Sequence, residues 1–141
     1  MINSYNHSNC IGIQVRMGGK TASAKEYVSF MKKEVLYEYL SRINIDHNNN
    51  ETIVLSTDSE LLIEDIKQKL SNHKTIVSHE YPICHSGINE FSHNKHMDGL
   101  KRAIVDAYLT SQCNPIYTTF YSSFGELIVY LSLNHKKVVM K

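Results

Sequence analysis

A doubly wound α/β domain is the fold class this sequence predicts, and two observations predict it. Strand-like and helix-like segments alternate along nearly the whole chain. The first apolar run, beginning at Ile11, ends in Arg16, a glycine pair and Lys20, and a helix-like segment follows. A strand that delivers a cation to a glycine turn at a helix start is how a chain prepares to hold phosphate.

The first strand is expected over Cys10 to Val15, which is short and β-branched. Thr21 to Arg42 reads as a helix, with Tyr27, Met31, Val35 and Leu36 at helical spacing and Tyr39, Leu40 and Ile43 extending the stripe. Thr52 to Ser56 is the second strand and Thr57-Asp58-Ser59 its exit, with Asp58 or Ser59 as N-cap of the next helix. That helix presents Leu61, Leu62, Ile66 and Leu70. Lys74 to Ser78 is the third strand. The segment from Glu80 to Lys95 lacks periodicity and exceeds the usual loop length, which marks it as functional or mobile. Met97 to Ser111 is a helix with Leu100, Ile104 and Tyr108 on one face. Pro115 to Thr119 is the fourth strand, Ser122 to Leu133 the fourth helix, and Lys137 to Met140 the last strand. Right-handed crossovers and a parallel sheet of order 3-2-1-4-5 follow from this alternation.

Composition bounds the function classes. The 141 residues are expected to form one domain, 1–141, large enough for a real core. A net charge of +1 argues against a broad basic surface for nucleic acid. No apolar run approaches the roughly 20 residues that span a bilayer. The polar start, Met1 to His7, does not read as a signal peptide, and a cytoplasmic protein is expected. Cys10, Cys84 and Cys113 are widely spaced and odd in number, which fits reduced thiols better than a disulfide framework. His79, His85, His93 and His96 cluster near Cys84, but the adjacent Cys84-His85 pair lacks zinc-ligand spacing, and no metal is expected.

In a parallel sheet all strand carboxyl ends share one rim. With order 3-2-1-4-5, strands one and four flank the topological switch point, where ligands bind. Arg16, Lys20, Ser122 and Ser123 then surround one crevice. Arg16 offers a permanently charged fork that matches phosphate oxygens, and the bland alternative is a surface arginine at a strand end. Gly18 and Gly19 allow close backbone approach or positive φ. Ser122 and Ser123 open a helix, where hydroxyls and N–H groups can bind an anion; the alternative is a serine cap, with Glu126 completing a capping box from Ser123. Asp58 reads either as a ligand for a sugar or base or as an N-cap. Asp106, four residues after Arg102, reads in isolation as half of a surface ion pair.

Three segments in order resemble the α1,2-, α1,6- and protein O-fucosyltransferase group. In that group a strand ends in His-x-Arg-Arg-Gly/Thr-Asp, and the corresponding stretch here is Gln14-Val15-Arg16-Met17-Gly18-Gly19-Lys20. A strand ending in Thr-Asp is similar to Val54-Leu55-Ser56-Thr57-Asp58. A helix of the form Asp-x-x-x-Leu-Ser, then a strand, then Ser-Ser, resembles Asp106 to Ser111, Ile116 to Thr119, and Ser122-Ser123. The resemblance spans roughly Ile11 to Leu133. It implies one Rossmann-like lobe of a GT-B, metal-independent glycosyltransferase that moves a sugar from a GDP-sugar, GDP-fucose above all, to a glycan or protein acceptor. It assigns Arg16, Ser122 and Ser123 to phosphate and Asp106 to guanine. Arg16 also becomes the catalytic residue, stabilising charge on the departing diphosphate, and no further cofactor is implied. Gln14, Met17 and Gly19 stand where the group has histidine, arginine and aspartate. The group uses two lobes and this chain has room for one, so a missing amino-terminal lobe or another chain is implied as partner. The alternative is a non-catalytic nucleotide-sugar-binding or interaction module.

Overall fold

Five strands form one parallel sheet at the centre of the molecule: β1 (Cys10–Val15), β2 (Thr52–Thr57), β3 (Lys74–Val77), β4 (Ile116–Thr119) and β5 (Lys137–Met140). The computed structural model describes residues 10–18, 29–48, 50–77, 93–133 and 135–141, with the backbone alone for 93–97. The order is β3-β2-β1-β4-β5, as the alternation of elements predicts, and every pairing is parallel. This is a Rossmann-like α/β arrangement in general form.

Residue alternation along β1 separates the two faces of the sheet. Ile11, Ile13 and Val15 point one way, into a core with Ile53 and Leu55 of β2 and Tyr117 of β4. Helices α1 (Lys33–Asp46) and α2 (Ile63–Lys69) close that core with Leu36, Leu40, Ile43 and Ile66. Burial of each such side chain is worth about 1.5–3 kcal/mol. The opposite face carries Cys10, Gly12 and Gln14, and is covered by α3 (His93–Ser111) and α4 (Ser123–Ser132), which pack on each other. A β-carbon on Gly12 would lie 2.9 Å from the Thr110 carbonyl oxygen, so the missing side chain is what lets α3 sit this close.

Several helix expectations need correction. Among the described residues the first helix begins at Lys33, so a helix does not run unbroken through the segment before it: Ser29 bridges Gly18, and the Phe30 N–H donates to the Met17 carbonyl at 2.9 Å. Met31 reaches the core from this extended segment, so its place in the apolar stripe was not evidence of helix. Positions 19–28, where the expected helix would open, lie outside the described residues. A 3₁₀ turn, Glu60–Leu62, precedes α2, and it turns Leu61 to solvent while Leu62 is buried. Ser59 occupies the N-cap position of that turn with no side-chain cap bond, and Asp58 is engaged elsewhere.

Helix α3 is rotated relative to expectation. Leu100, Ile104 and Tyr108 face solvent, while Arg102, Asp106, Ala107 and Thr110 are buried. Its helical backbone begins by His93, four residues before the expected start. Of the 80–95 loop and the Cys84 histidine cluster, the segment 78–92 and the side chains of His93 and His96 lie outside the described residues. Among the described residues, no helix is long and apolar enough to cross a membrane.

Candidate functional site

The carboxyl end of β1 is tied to its neighbours by polar side chains. Gln14, Ser56 of β2 and Thr118 of β4 stand in register across three strands, a polar row on the α3/α4 face. Gln14 uses both ends of its amide. Its Oε1 accepts from the Thr119 N–H at 3.0 Å, and its Nε2 donates to Ser122 Oγ at 3.1 Å. Ser122 Oγ also accepts from the Gly125 N–H at 3.2 Å, which caps α4. The cap is therefore Ser122, one residue before Ser123, and the expected Ser123–Glu126 capping box does not form. Gly125 is needed there: a β-carbon would come within 2.8 Å of Gln14 Oε1. The Glu126 N–H goes to the Ser122 carbonyl at 2.9 Å. Helix geometry leaves the N–H groups of Ser123 and Phe124 without an intrahelical acceptor.

Thr119 completes the clasp. Its hydroxyl donates to the Gln14 carbonyl at 3.1 Å and accepts from the Arg16 N–H at 2.9 Å. The chain then turns through Met17 and Gly18. Gly18 adopts φ 61°, in the left-handed region that favours glycine. The turn aims two successive N–H groups at one point, an arrangement that holds anions. The anion present is the chain's own: Met17 N–H donates to Asp58 Oδ1 at 2.9 Å, and Gly18 N–H to Asp58 Oδ2 at 3.0 Å. Arg16 Nε lies 3.8 Å from Asp58 Oδ2, and the guanidinium sits 5.1 Å from the centre of the Phe30 ring. Met17, where the resemblance has a second arginine, is buried in the apolar core.

Between this turn and α3 lies a cavity of about 90 Å³. Gln14, Arg16, Asp58, Arg102, Asp106 and Phe124 are among its lining residues. Asp106 accepts from Arg102 Nε at 3.5 Å, and both side chains are buried. The expected surface pair is thus an internal one. Burial pushes the Asp106 carboxyl up to about 6, against the opposing pull of Arg102. Arg102 also reaches Glu60 Oε1 at 4.0 Å, linking α3 to the 3₁₀ turn.

Three of the residues singled out in the sequence, Arg16, Asp58 and Asp106, line this one cavity although as many as 90 positions separate them. Ser122 is joined to it through Gln14, and Ser123 is exposed in the first turn of α4. The Gly18 N–H is taken by Asp58, and Lys20 lies outside the described residues. Sequence reasoning gave no site role to Gln14, Ser56, Thr119 and Arg102, although it noted Gln14 in place of the group's histidine and Arg102 as the neighbour of Asp106. The signal for three of them was polarity at the strand ends, visible once the strands are set in register. Compared with known proteins, the chain matches no family model and no curated protein. Chemically, the guanidinium groups of Arg16 and Arg102 and the carboxylates of Asp58 and Asp106 line one small space, an arrangement that can receive an anionic group when one carboxylate is displaced or protonated.

Proposed function

We propose that the chain is a nucleotide-sugar-binding lobe of the GT-B glycosyltransferase type, with a GDP-sugar, GDP-fucose first, as its ligand. The observation that carries the reading is the convergence of Arg16 and Asp106 on one cavity at the carboxyl end of β1. That is the switch point of a 3-2-1-4-5 sheet. The cavity accommodates a phosphate-sized group rather than a whole nucleotide sugar, so Arg102 must swing away from Asp106 for guanine to reach the carboxylate. Arg16 and the start of α4 supply the charge that stabilises a diphosphate, bound or departing. The acceptor, a glycan or a protein, is met by a second lobe or another chain.

One observation favours binding without turnover. Gln14 stands where the resembled group has histidine, an amide takes no proton, and both its ends are bound within the fold. The non-catalytic module is therefore the second reading.

Calorimetric titration of the chain with GDP, GDP-fucose, UDP and NAD tests both. Saturable GDP binding, reduced at least tenfold in Arg16→Ala, is expected. No binding of GDP at millimolar concentration overturns both readings. Release of GDP from GDP-fucose in the presence of an acceptor separates transferase from module.

A further inference from the structure

We propose that Cys10 and Cys113 form a redox pair, closed into an intramolecular disulfide by a small-molecule disulfide such as oxidised glutathione. The two sulfurs are 2.6 Å apart, and only the covalent bond, at about 2.05 Å, brings sulfurs closer. The fold imposes this contact across 103 positions of sequence. Cys10 opens β1 and Cys113 follows the end of α3. The Asn114 N–H donates to the Cys10 carbonyl at 3.0 Å, and the Gly12 N–H to the Pro115 carbonyl at 3.0 Å, so the two backbones run side by side here. Gly12 contributes again, since a β-carbon there would lie 3.1 Å from Cys113 Cβ.

The surroundings divide the roles. Cys10 is partly exposed while Cys113 is buried, so Cys10 is the sulfur an oxidant reaches first, and its contact with Cys113 holds its thiol below the usual range. Cys113 is fully buried, and the same contact together with burial pushes its thiol up. Cys10 Sγ attacks one sulfur of oxidised glutathione. That S–S bond breaks, and the first glutathione leaves as a thiolate that takes a proton from water. Cys10 is now a neutral mixed disulfide, so neither its hydrogen bond nor its charge any longer holds the proton on Cys113. Cys113 loses its proton to water and attacks Cys10 Sγ, and the second glutathione leaves. Two protein thiols and one oxidised glutathione become one protein disulfide and two reduced glutathiones, and two electrons pass from protein to oxidant.

The pair lies at the amino end of β1, away from the cavity, and the inference does not depend on the nucleotide reading. The reduced chain is incubated with oxidised glutathione, digested without reductant and mapped by mass spectrometry. A cross-linked Cys10–Cys113 peptide is expected. So is a rise in Tm on the order of 10 °C, since the bond closes a loop of about 100 residues. In Cys113→Ser the reaction halts at a glutathione adduct on Cys10. Pairing of Cys84 with either thiol, a lasting adduct in the wild-type chain, or thiols left unreacted overturns the proposal. The wild-type peptide map decides even if the variant does not fold.

Discussion

Asp58 satisfies two backbone donors at once, at Met17 and Gly18, inside the fold. Charge-assisted hydrogen bonds to a carboxylate are among the stronger kind, and a buried donor left unpaired carries its full desolvation cost. Asp58→Ala is therefore expected to cost about 2–4 kcal/mol. Urea denaturation checks this, and a loss below about 1 kcal/mol would mean that water replaces the carboxylate. Asp106 acts through pH. Its carboxyl is raised from 3.8 to about 6, so the folded state binds the proton more tightly than the unfolded chain. The sign is thus destabilising as pH rises from 3.8 to 6, by up to about 3 kcal/mol at 1.36 kcal/mol per pKa unit. Urea midpoints of the wild type and of Asp106→Asn, followed from pH 4 to pH 7, should diverge through this window. Parallel curves would place the carboxyl at its ordinary value. Both aspartates stood out in the sequence, and so did Arg102 beside Asp106, but the partners of Asp58 did not, because they are backbone groups 40 and 41 positions away.

Among the elements, strands were legible, and so was most of the inner face of the first two helices, where Leu36, Leu40, Ile43, Leu62, Ile66 and Leu70 are buried as read; the face of α3 was not. β1 and β5 have the limits read from the sequence, since a β-branched run bounded by polar residues reports a strand directly, whether buried like β1 or partly exposed like β5. Helix α3 misled because two stripes share its spacing. Leu100, Ile104 and Tyr108 form one, and Arg102, Asp106 and Thr110 form the other. Hydrophobicity favours burial of the first, yet the sheet face beneath α3 is the polar one, and it takes the second. Close approach then matters more than apolar area. Gly12→Ala should push α3 off the sheet against the Thr110 carbonyl, at a cost of about 1–3 kcal/mol. Denaturation measures that cost, and near-neutral stability would show that α3 can move outward without penalty. The start of α1 was misplaced for a related reason. Met31 shares the helical spacing of Val35, but it is buried from an extended segment held by Gly18 and Met17.

For the molecule as a whole, the strand order and the rim on which the chemistry collects were readable in advance. Strands that alternate with helices must be parallel, and right-handed crossovers leave few orders. Order 3-2-1-4-5 then brings the ends of β1 and β4 together, and Gln14, Thr119 and Ser122 meet there. The sequence by itself thus determined the parallel sheet and the place of Arg16 at the carboxyl end of β1, and it left 3-2-1-4-5 among few possible orders, because those follow from local pattern and chain connectivity. Tertiary structure alone decided that the glycine turn cradles Asp58, that Arg102 and Asp106 are an internal pair, and that Cys10 touches Cys113. Each of these is a meeting of side chains fixed by packing: which helix stripe turns inward, and how close a glycine lets two backbones come.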